Sequence, residues 1–320
     1  MKAIQVHQFG GPEVLALHEI PTPKPGPGEV LVKVRAAGVN PYDTYMRNGT
    51  YPIKPPLPYT PGSDAAGTVK AVGEGVKKVK PGDRVYTAKT VSGAYAEFAL
   101  ALESQVNHLP DKISFSQGAA LWVPYGTAFT ALHHQAQARA GETVLIHGAS
   151  GGVGIAAVQM SRALGLTVIG TAGTQRGLEL IKKEGAHHAF DHTKAGYTEE
   201  IMKVTGGNGV DIVLEMLANV NLGTDLRLLA LRGRVIVIGN RGEVTINARE
   251  LMSRRASVRG FTLWAATEAE TVEIYAGIDA GLESGTLRPI VGKELPLKEA
   301  TQAHQDILAP GAFGKIVLVP

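Results

Sequence analysis

The chain contains no cysteine among its 320 residues. Disulfides, catalytic thiols and metal sites built on thiolate ligands are therefore excluded. Charge of one sign is not in excess either, because 32 Lys and Arg stand against 29 Asp and Glu, for a formal net charge of +3. The basic residues are interspersed with acidic ones rather than collected in a block, so nucleic-acid binding is not the first interpretation.

Long hydrophobic runs are also missing from the sequence. No stretch reaches the roughly 20 apolar residues that a membrane-spanning helix needs, and residues 1–6 alternate like a strand instead of forming the apolar core of a signal peptide. We therefore expect a cytoplasmic protein without a membrane partner. Its length and its 44% content of hydrophobic residues predict two globular domains, each with its own core.

Glycine, in contrast, is abundant, and one cluster of it is informative. The apolar run 144–146 breaks into His-Gly-Ala-Ser-Gly-Gly-Val-Gly at 147–154, and a helical pattern follows. Gly151 lacks the Cβ that would block a pyrophosphate, Gly154 allows close packing of the helix, and the N–H groups at the helix start attract anionic oxygens. An ordinary strand-to-helix connection is the alternative. The order of strand, turn and helix favours a dinucleotide site that includes Ser150, Gly151, Gly152, Val153 and Gly154.

The periodicity predicts an α/β protein with two kinds of domain. Up to about residue 115 the chain consists of short strands and turns rich in Gly and Pro, and a capping box at Ser114 and Gln117 opens a helical tract to about residue 137. Strands and helices then alternate, which predicts a doubly wound parallel sheet. We expect strands at 143–147, 167–171, 188–191, 210–216 and 234–238, helices at 153–164, 176–184, 198–205 and 222–231, an edge strand at 257–262, helices at 268–283 and 297–308, and a closing strand at 315–319 that fits the β-rich domain.

The end of the second strand of this sheet indicates which dinucleotide is bound. Enzymes that use NAD place an Asp or Glu there to hold the ribose 2′-hydroxyl, whereas residues 169–176 contain no acid and end in Arg176. A carboxylate would repel a 2′-phosphate and an arginine would bind it, so the sequence favours NADPH. His192, after the third strand, is a second candidate for the phosphate. The alternatives are a solvated Arg176 and an ordinary surface histidine.

Several separated motifs carry a resemblance to a known family. They are Gly-Val-Asn-Pro-Tyr-Asp-Thr-Tyr at 38–45, Leu-Pro-Tyr-Thr-Pro-Gly-Ser-Asp-Ala-Ala-Gly at 57–67, Val-Lys-Pro-Gly-Asp-Arg-Val at 79–85, the turn at 147–154, and Glu-Met-Leu-Ala-Asn-Val-Asn-Leu at 215–222. With them the chain resembles the medium-chain dehydrogenase/reductase superfamily, and within it the zinc-free quinone oxidoreductase group typified by zeta-crystallin.

The resemblance implies a GroES-like β-rich catalytic domain that is split in sequence around a Rossmann domain. The expected boundaries are 1–120 and 265–320 for the catalytic domain and 121–264 for the NADPH-binding domain. It also implies a homodimer or homotetramer that associates through the edge strand at 257–262. Further residues implied to lie against the coenzyme are Tyr45, Gly173, Asn221, Ile238, Gly239, Asn240 and Arg241. Independently, residues 235–239 form an apolar strand pattern that ends in glycine, and ligands of open α/β sheets bind at that end.

The sequence departs from the zinc-dependent members of the superfamily. Asn40 stands where those enzymes have a zinc-binding cysteine, and Ser63 and Asp64 stand where they have His-Glu. A neutral amide does not replace a thiolate as a zinc ligand, so we expect metal-independent chemistry.

The resemblance places three candidate catalytic residues in the cleft between the domains. Tyr45 is implied to contact the coenzyme, and Asn40 and Tyr51 to face the substrate. A phenol suits this role because it combines an apolar ring with a hydroxyl donor. Packing in a proline-rich loop is the alternative for the tyrosines, and a turn position before proline is the alternative for Asn40. Asp43 is expected to fix the loop as a hydrogen-bond acceptor.

Three functions remain open on the sequence alone. The first is NADPH-dependent reduction of a small quinone without a metal, in which the protein positions the reactants and supplies hydrogen bonds. The second is NADPH-dependent reduction of the activated C=C bond of an alkenal or enoyl substrate, as in related zinc-free members. The third is a role as an NADPH-binding structural protein or an RNA-binding protein, although no basic stripe or RNA-recognition motif is present.

Overall fold

The computed structural model describes all 320 residues. Its strands are β1 Lys2–Gln5, β2 Ala16–Glu19, β3 Glu29–Val39, β4 Asp64–Val72, β5 Arg84–Thr87, β6 Phe98–Leu102, β7 Val106–His108, β8 Thr143–Ile146, β9 Thr167–Ala172, β10 His188–Asp191, β11 Val210–Glu215, β12 Leu229–Val237, β13 Ser257–Gly260, β14 Val291–Pro296 and β15 Lys315–Val319. Its α-helices are α1 Pro41–Asn48, α2 Phe115–Gly118, α3 Thr127–Phe129, α4 Gly152–Ala163, α5 Gln175–Lys183, α6 Tyr197–Val204, α7 Ala218–Leu228, α8 Ala248–Arg254, α9 Glu268–Ser284 and α10 Ala300–Asp306. No helix combines the length and the apolar character needed to cross a bilayer.

The chain divides into two compact units. The first contains residues 1–123, 289–309 and 314–320, and the second contains residues 124–288 and 310–313. The expected domains differ from these units at the C-terminal side, because helix α9 belongs to the second unit although the resemblance assigned residues from 265 onward to the catalytic domain.

The first unit is built on a mixed sheet with the strand order β14-β15-β3-β4-β5-β7, and β6 also pairs with β3. The closing strand β15 runs antiparallel to β3, with Ile316 opposite Val39, so the prediction that this strand joins the β-rich domain is confirmed. Apolar residues of β1, β3, β15 and α10 form a common core, which includes Ile4, Val34, Leu318 and Ala303. The unit therefore closes only when the C-terminal segment returns to it.

The second unit is a parallel sheet with the strand order β10-β9-β8-β11-β12-β13. This order, in which the first strand lies in the middle, is that of the doubly wound dinucleotide-binding fold, and its crevice opens beside the carboxyl end of β8. The predicted parallel sheet is confirmed, and so is the edge strand, since β13 pairs with β12. Leu145, Ile169, Val213 and Val235 form its buried centre.

Two local predictions differ from the structure. The capping box at Ser114 and Gln117 is present, but the helical tract that follows is broken: α2 and α3 are short, and residues 122–126 and 130–135 are wound as π-helix. Pro124 has no N–H group, so a regular α-helical ladder is interrupted there. Helix α7 begins at Ala218 rather than at residue 222, and the following apolar residues belong to β12. A short apolar run does not by itself distinguish helix from strand.

Candidate active site

The glycine-rich turn after β8 brings the first turn of α4 very close to the preceding loop. A Cβ on Gly154 would overlap the carbonyl oxygen of Gly148 and would lie 2.5 Å from the Cα of Ala149. Gly148 itself adopts a left-handed conformation with φ of 56°, which glycine adopts without steric cost. Only glycine is therefore accommodated at 154 without a shift of the backbone.

Gly151, the residue that caps the start of α4, has more space around its Cα than Gly154 has. Its φ is −80°, and a Cβ there would meet its nearest atoms, the Gly148 oxygen and the Ala312 Cβ, at 3.4 and 3.5 Å. These are ordinary van der Waals distances, so the packing of the chain does not require glycine at this position. The helix begins without a side-chain cap, and its first amide groups, at Gly152 and Val153, belong to partly exposed residues. Such a helix start suits an anionic oxygen.

The short segment 310–313 packs against this turn within the second unit. Ser150 is 3% exposed, and its Oγ donates a hydrogen bond of 2.6 Å to the Ala312 carbonyl. The guanidinium carbon of Arg176 lies 3.5 Å from the centroid of the Phe313 ring, a stacked cation–π contact. Arg176 is exposed and stands in the first turn of α5, whose start is capped by the Thr174 hydroxyl. The stack limits where this guanidinium points.

His192 lies next to Gly173 in the same region. A Cβ on Gly173 would be 3.0 Å from the Nε2 of His192, so the glycine leaves room for the imidazole ring. Partial burial, and secondarily the neighbouring His147, lower the pKa of His192 below its usual value. The ring is therefore neutral at pH 7 and offers a hydrogen bond rather than a positive charge.

The other predicted coenzyme residues follow the two neighbouring strands, β11 and β12. The side-chain amide of Asn221 donates to Glu215 Oε1 at 3.2 Å. Gly239 is required by its surroundings, because a Cβ there would overlap the carbonyl oxygen of Met216. Ile238 is half-buried and bonds through its N–H to Glu215 O, Asn240 is exposed, and the backbone N–H of Arg241 donates to Asn219. The structure thus places all of them at the same edge of the sheet as the glycine-rich turn.

In the first unit, Asn40 is 2% exposed and both of its amide atoms are engaged. Its Nδ2 donates to Asp64 Oδ2 at 3.1 Å, and its Oδ1 accepts a short hydrogen bond from the Lys315 ammonium. Lys315 also lies 3.1 Å from Asp64 Oδ2. A Cβ on Gly38 would overlap the backbone carbonyl oxygen of Ala119 and would also lie 2.8 Å from the Cε of Lys315, so the packing requires glycine here. Both amide atoms of Asn40 are therefore held within its own unit, and its role towards a substrate stays a prediction.

A chain of hydrogen bonds fixes the helix α1 that follows Asn40. Asp43 Oδ2 accepts from the Asn40 N–H at 2.9 Å and from the Tyr95 hydroxyl at 3.0 Å, so the expected loop-fixing role of Asp43 is confirmed. The Tyr95 oxygen lies 3.2 Å from His304 Nε2, and His304 Nδ1 lies 3.2 Å from Arg47. Burial and Arg47 lower the pKa of His304 to about 3. A neutral ring protonated on Nε2 satisfies every contact in this chain.

The two candidate tyrosines lie in and just after α1. Tyr45 is half-buried, and its carbonyl accepts from the N–H groups of Thr50 and Tyr51, which ties the end of the helix to the loop. The Tyr51 ring packs edge-on against Tyr42, with ring centroids 4.7 Å apart. The ring of Tyr51 thus packs within its loop, as the alternative interpretation of the sequence expected. Its side chain remains partly exposed.

Comparison with known proteins gives consistent results over the whole chain. Family models described as an alcohol dehydrogenase GroES-like domain and as a zinc-binding dehydrogenase match residues 26–111 and 152–276. The chain is 52% identical over 321 residues to a quinone oxidoreductase of Sus scrofa and 50% identical to one of Homo sapiens, covering 100% of this chain and 98% of each relative. The crystal structure of Escherichia coli quinone oxidoreductase complexed with NADPH superposes with a TM-score of 0.89 at 33% identity, with 100% of both chains covered.

The chain belongs to the quinone oxidoreductase group of the medium-chain dehydrogenase/reductase superfamily. The resemblance found in the sequence is thereby confirmed, as are the GroES-like and Rossmann folds. One family model carries zinc in its description, whereas the resemblance sets Asn40 against a zinc-binding cysteine and Ser63 and Asp64 against the pair His-Glu of the zinc-dependent members. The independence of this chain from a metal stays a prediction.

Sequence reasoning missed the residues that come from distant parts of the chain. The sequence pattern predicts Lys315 only as the start of a strand, and no motif includes Phe313. The sequence offers one signal for Lys315, its position at the start of the apolar run Ile316–Val319. In the structure Lys315 is 3% exposed, and a buried lysine needs a partner for its charge. No local pattern pointed to the contact between Phe313 and Arg176.

The Asp43 carboxyl predicts a specific pH dependence of stability. Complete burial raises its pKa to about 7, against the lowering effects of the Asn40 N–H and Lys315. A carboxyl with a raised pKa in the folded state favours folding at low pH, and this contribution is lost as the pH rises from about 4 through 7. We expect the wild type to lose stability relative to Asp43→Asn over this range, by at most about 1.4 kcal/mol per pH unit. Urea unfolding of both proteins from pH 4.5 to pH 8 measures the difference, and parallel curves would contradict the assignment.

Proposed function

We propose that this chain is an NADPH-dependent quinone oxidoreductase that acts on a small quinone. The observation that carries the proposal is the turn at Gly151, where a glycine that the fold does not need opens the N-terminal end of α4 to an anionic ligand. The identity of about 50% to proteins named quinone oxidoreductase, over the full chain, supports the substrate class. The similarity to a structure complexed with NADPH supports the coenzyme.

The residues of the second unit fit the proposed coenzyme. The diphosphate would lie against the first amide groups of α4, and the nearby strand ends would hold the remainder through Gly173, Asn221, Ile238, Gly239, Asn240 and Arg241. At the 2′-position, β9 and the start of α5 offer Arg176 and no carboxylate. His192, next to Gly173, would add a hydrogen bond. This combination favours a phosphate over a free hydroxyl.

For this reaction the protein has to position the two reactants and to supply one proton. When bound, NADPH supplies a hydride to an acceptor that is already electron-poor. Hydride addition to a quinone leaves a hydroquinone anion, which takes up one proton to give the hydroquinone. In the proposed site Tyr45 and Tyr51 donate hydrogen bonds to the developing oxyanion, and one of their hydroxyls delivers the proton, which solvent restores. Asn40 acts here by holding the loop through Lys315 and Asp64.

The proposal includes a homo-oligomer formed through β13. This strand is the edge of the parallel sheet and pairs with β12 on one side only. Edge strands present N–H and C=O groups that another strand can pair with. A second copy of the chain, as a homodimer or within a homotetramer, would complete the pairing. We also propose a cytoplasmic location.

Two glycine variants test the coenzyme site against the fold. Gly151→Ala adds a methyl group at an ordinary contact distance from the chain, so we expect a folded protein whose Kd for NADPH rises at least about tenfold because the methyl group blocks the diphosphate. Gly154→Ala pushes α4 away from the backbone of Gly148 and Ala149. We therefore expect a loss of thermal stability, with an overpacking cost of about 1–3 kcal/mol or more. Coenzyme fluorescence titration and thermal melts measure the two effects. Unchanged NADPH affinity in Gly151→Ala would refute the proposed site.

Arg176→Ala tests the preference for the 2′-phosphate. A hydrogen bond to a charged group is worth about 1.5–3 kcal/mol, so we expect the KM for NADPH to rise about 10- to 100-fold. The KM for NADH should stay within about twofold, since this coenzyme lacks the phosphate. Steady-state kinetics with both coenzymes provide the measurement. Equal effects on the two would remove Arg176 from the phosphate site.

A panel of acceptors tests the substrate class. With NADPH in excess, we expect ortho- and para-quinones to be reduced faster than α,β-unsaturated aldehydes and enoyl thioesters. The absorbance of NADPH reports all three rates on one scale. Negligible turnover of quinones with fast reduction of an enal would replace the proposed function by that of an alkenal reductase.

A further inference from the structure

Three ionisable side chains form a closed cluster beneath the glycine-rich turn. They are His147, directly after β8, Glu215 at the end of β11, and Asp225 in α7, and they are 4%, 0% and 0% exposed. His147 Nε2 lies 2.8 Å from Asp225 Oδ1 and 3.6 Å from Glu215 Oε2. Nothing in the proposed reaction uses these groups, although two of them stand at the strand ends that face the coenzyme site.

Two oxygens of the cluster have no hydrogen-bond donor, Glu215 Oε2 and Asp225 Oδ2. Two carboxylates buried side by side repel each other, and a proton held between them removes one charge and satisfies both oxygens. Burial raises the pKa of each carboxyl, to about 7 in both cases, which agrees with a proton retained at neutral pH. His147 completes the cluster by donating from Nε2 to Asp225.

A metal ion accounts for this geometry less well than a proton does. One nitrogen or oxygen from each residue lies within 4.8 Å of the others, which is compatible in principle with a bound ion. Ligands of a tetrahedral Zn²⁺ at about 2.0–2.2 Å stand roughly 3.3 Å or more apart. The 2.8 Å between His147 and Asp225 is instead the distance of a direct hydrogen bond.

The other oxygen of Glu215 is hydrogen-bonded to the residues that follow β11. Its Oε1 accepts a short hydrogen bond from the N–H of Leu217 and a second one, of 3.2 Å, from the side-chain amide of Asn221. The carboxyl therefore bridges the buried cluster and a residue that the proposed function places against NADPH. A side chain held in this way keeps its orientation without a ligand.

We propose that Glu215 is a positioning residue, whose carboxyl shares a proton with Asp225 through Oε2 and orients the Asn221 amide towards the coenzyme through Oε1. The inference rests on the proposed function, because it takes Asn221 as a coenzyme contact. It assigns a role to a cluster that lies outside the proposed reaction.

Other groups face the cluster from the elements around it. Thr171 of β9 contacts His147 Nδ1 at 3.3 Å. Burial, and secondarily the negative charge of Asp225 and Glu215, raises the pKa of Tyr197 of α6. His192 interacts with His147, and burial lowers the pKa of both imidazoles. These neutral neighbours bring no permanent positive charge to the cluster, so loss of the shared proton near pH 7 leaves two uncompensated carboxylates.

A double-mutant cycle between Glu215 and Asn221 tests the proposal. Asn221→Ala removes the amide, and we expect its Kd for NADPH to rise about tenfold. Glu215→Leu should produce a similar rise because the amide loses its orientation, and the double variant should remain near tenfold instead of reaching a hundredfold. Glu184→Leu is the matched control: Glu184, also buried in the second unit, pairs with Gln159 and Arg288, so we expect a lower Tm and unchanged NADPH affinity. A double variant that shows the product of the two single effects would overturn the inference.

The conservative variant Glu215→Gln keeps the structural claim falsifiable if Glu215→Leu does not fold. Its carbonyl can accept from Leu217 and Asn221, and its NH2 group can donate to Asp225 in place of the shared proton. We expect it to restore NADPH affinity to within about threefold of the wild type. The wild type should bind more weakly as the pH rises from 6 to 8, and Glu215→Gln should show a flat profile. A pH profile shared by both proteins would overturn the shared proton.

Two further results separate the possible failures. Titration of the wild type with Zn²⁺ should show no stoichiometric uptake that Glu215→Gln abolishes, and such uptake would replace the proton by a metal site. If the wild type binds NADPH but the cycle is additive, only the role of Glu215 fails. If the wild type does not bind NADPH at all, the proposed function fails, and this inference fails with it.

Discussion

The second unit depends on the close approach of α4 to the turn after β8. Only glycine at position 154 lets the helix start beside the Gly148 carbonyl, and this start aligns the first amide groups of α4. The parallel sheet provides the frame, since β8 lies in its middle and the neighbouring strand ends open on the same side. Fixed N–H groups at a helix start bind phosphate without reorganising. The turn is thus both a packing constraint and the basis of the proposed coenzyme site.

In the first unit, two buried networks of polar side chains fix Asn40 and the helix α1 that follows it. Lys315 supplies a cation between Asn40, directly before α1, and Asp64, the first residue of β4. The chain from Arg47 through His304 and Tyr95 to Asp43 then fixes α1. Breaking a buried pair of this kind leaves an uncompensated charge, which makes each partner necessary once the other is present. The half-buried Tyr45 and Tyr51 are therefore carried on a rigid support.

Much of this architecture follows from local sequence patterns. The alternation of strands with helices and the glycine turn predict the parallel sheet, and strand β10 has the bounds expected for it. A ligand at the end of the strand pattern 235–239 follows from the same rule, because parallel strands deliver their carboxyl ends to one edge. The other candidate coenzyme residues on these strand ends came from the resemblance. Contacts between distant segments did not follow. Lys315 reaches Asn40 across 275 positions, and Phe313 stacks on Arg176 from the C-terminal segment. Periodicity carries no information about such pairings, since it reports only which face of an element is buried.

The same reasoning explains why a local pattern predicts the partner of Asp43 but not the partners of the Asn40 amide. Asp43 stands three residues after Asn40, so a local capping contact predicts its partner. The partners of the Asn40 amide lie on β4 and β15, and only the folded sheet brings them together. Glu215 is a similar case, because its motif was visible in the sequence and its contacts with His147 and Asp225 were not.

A crystal structure of the chain with NADPH and a quinone tests the central claim most directly. The account predicts the diphosphate against the amide groups of Gly152 and Val153, the 2′-phosphate within hydrogen-bond distance of Arg176, and the quinone beside Tyr45 and Tyr51. A diphosphate bound elsewhere, with the start of α4 in contact with solvent alone, would contradict it.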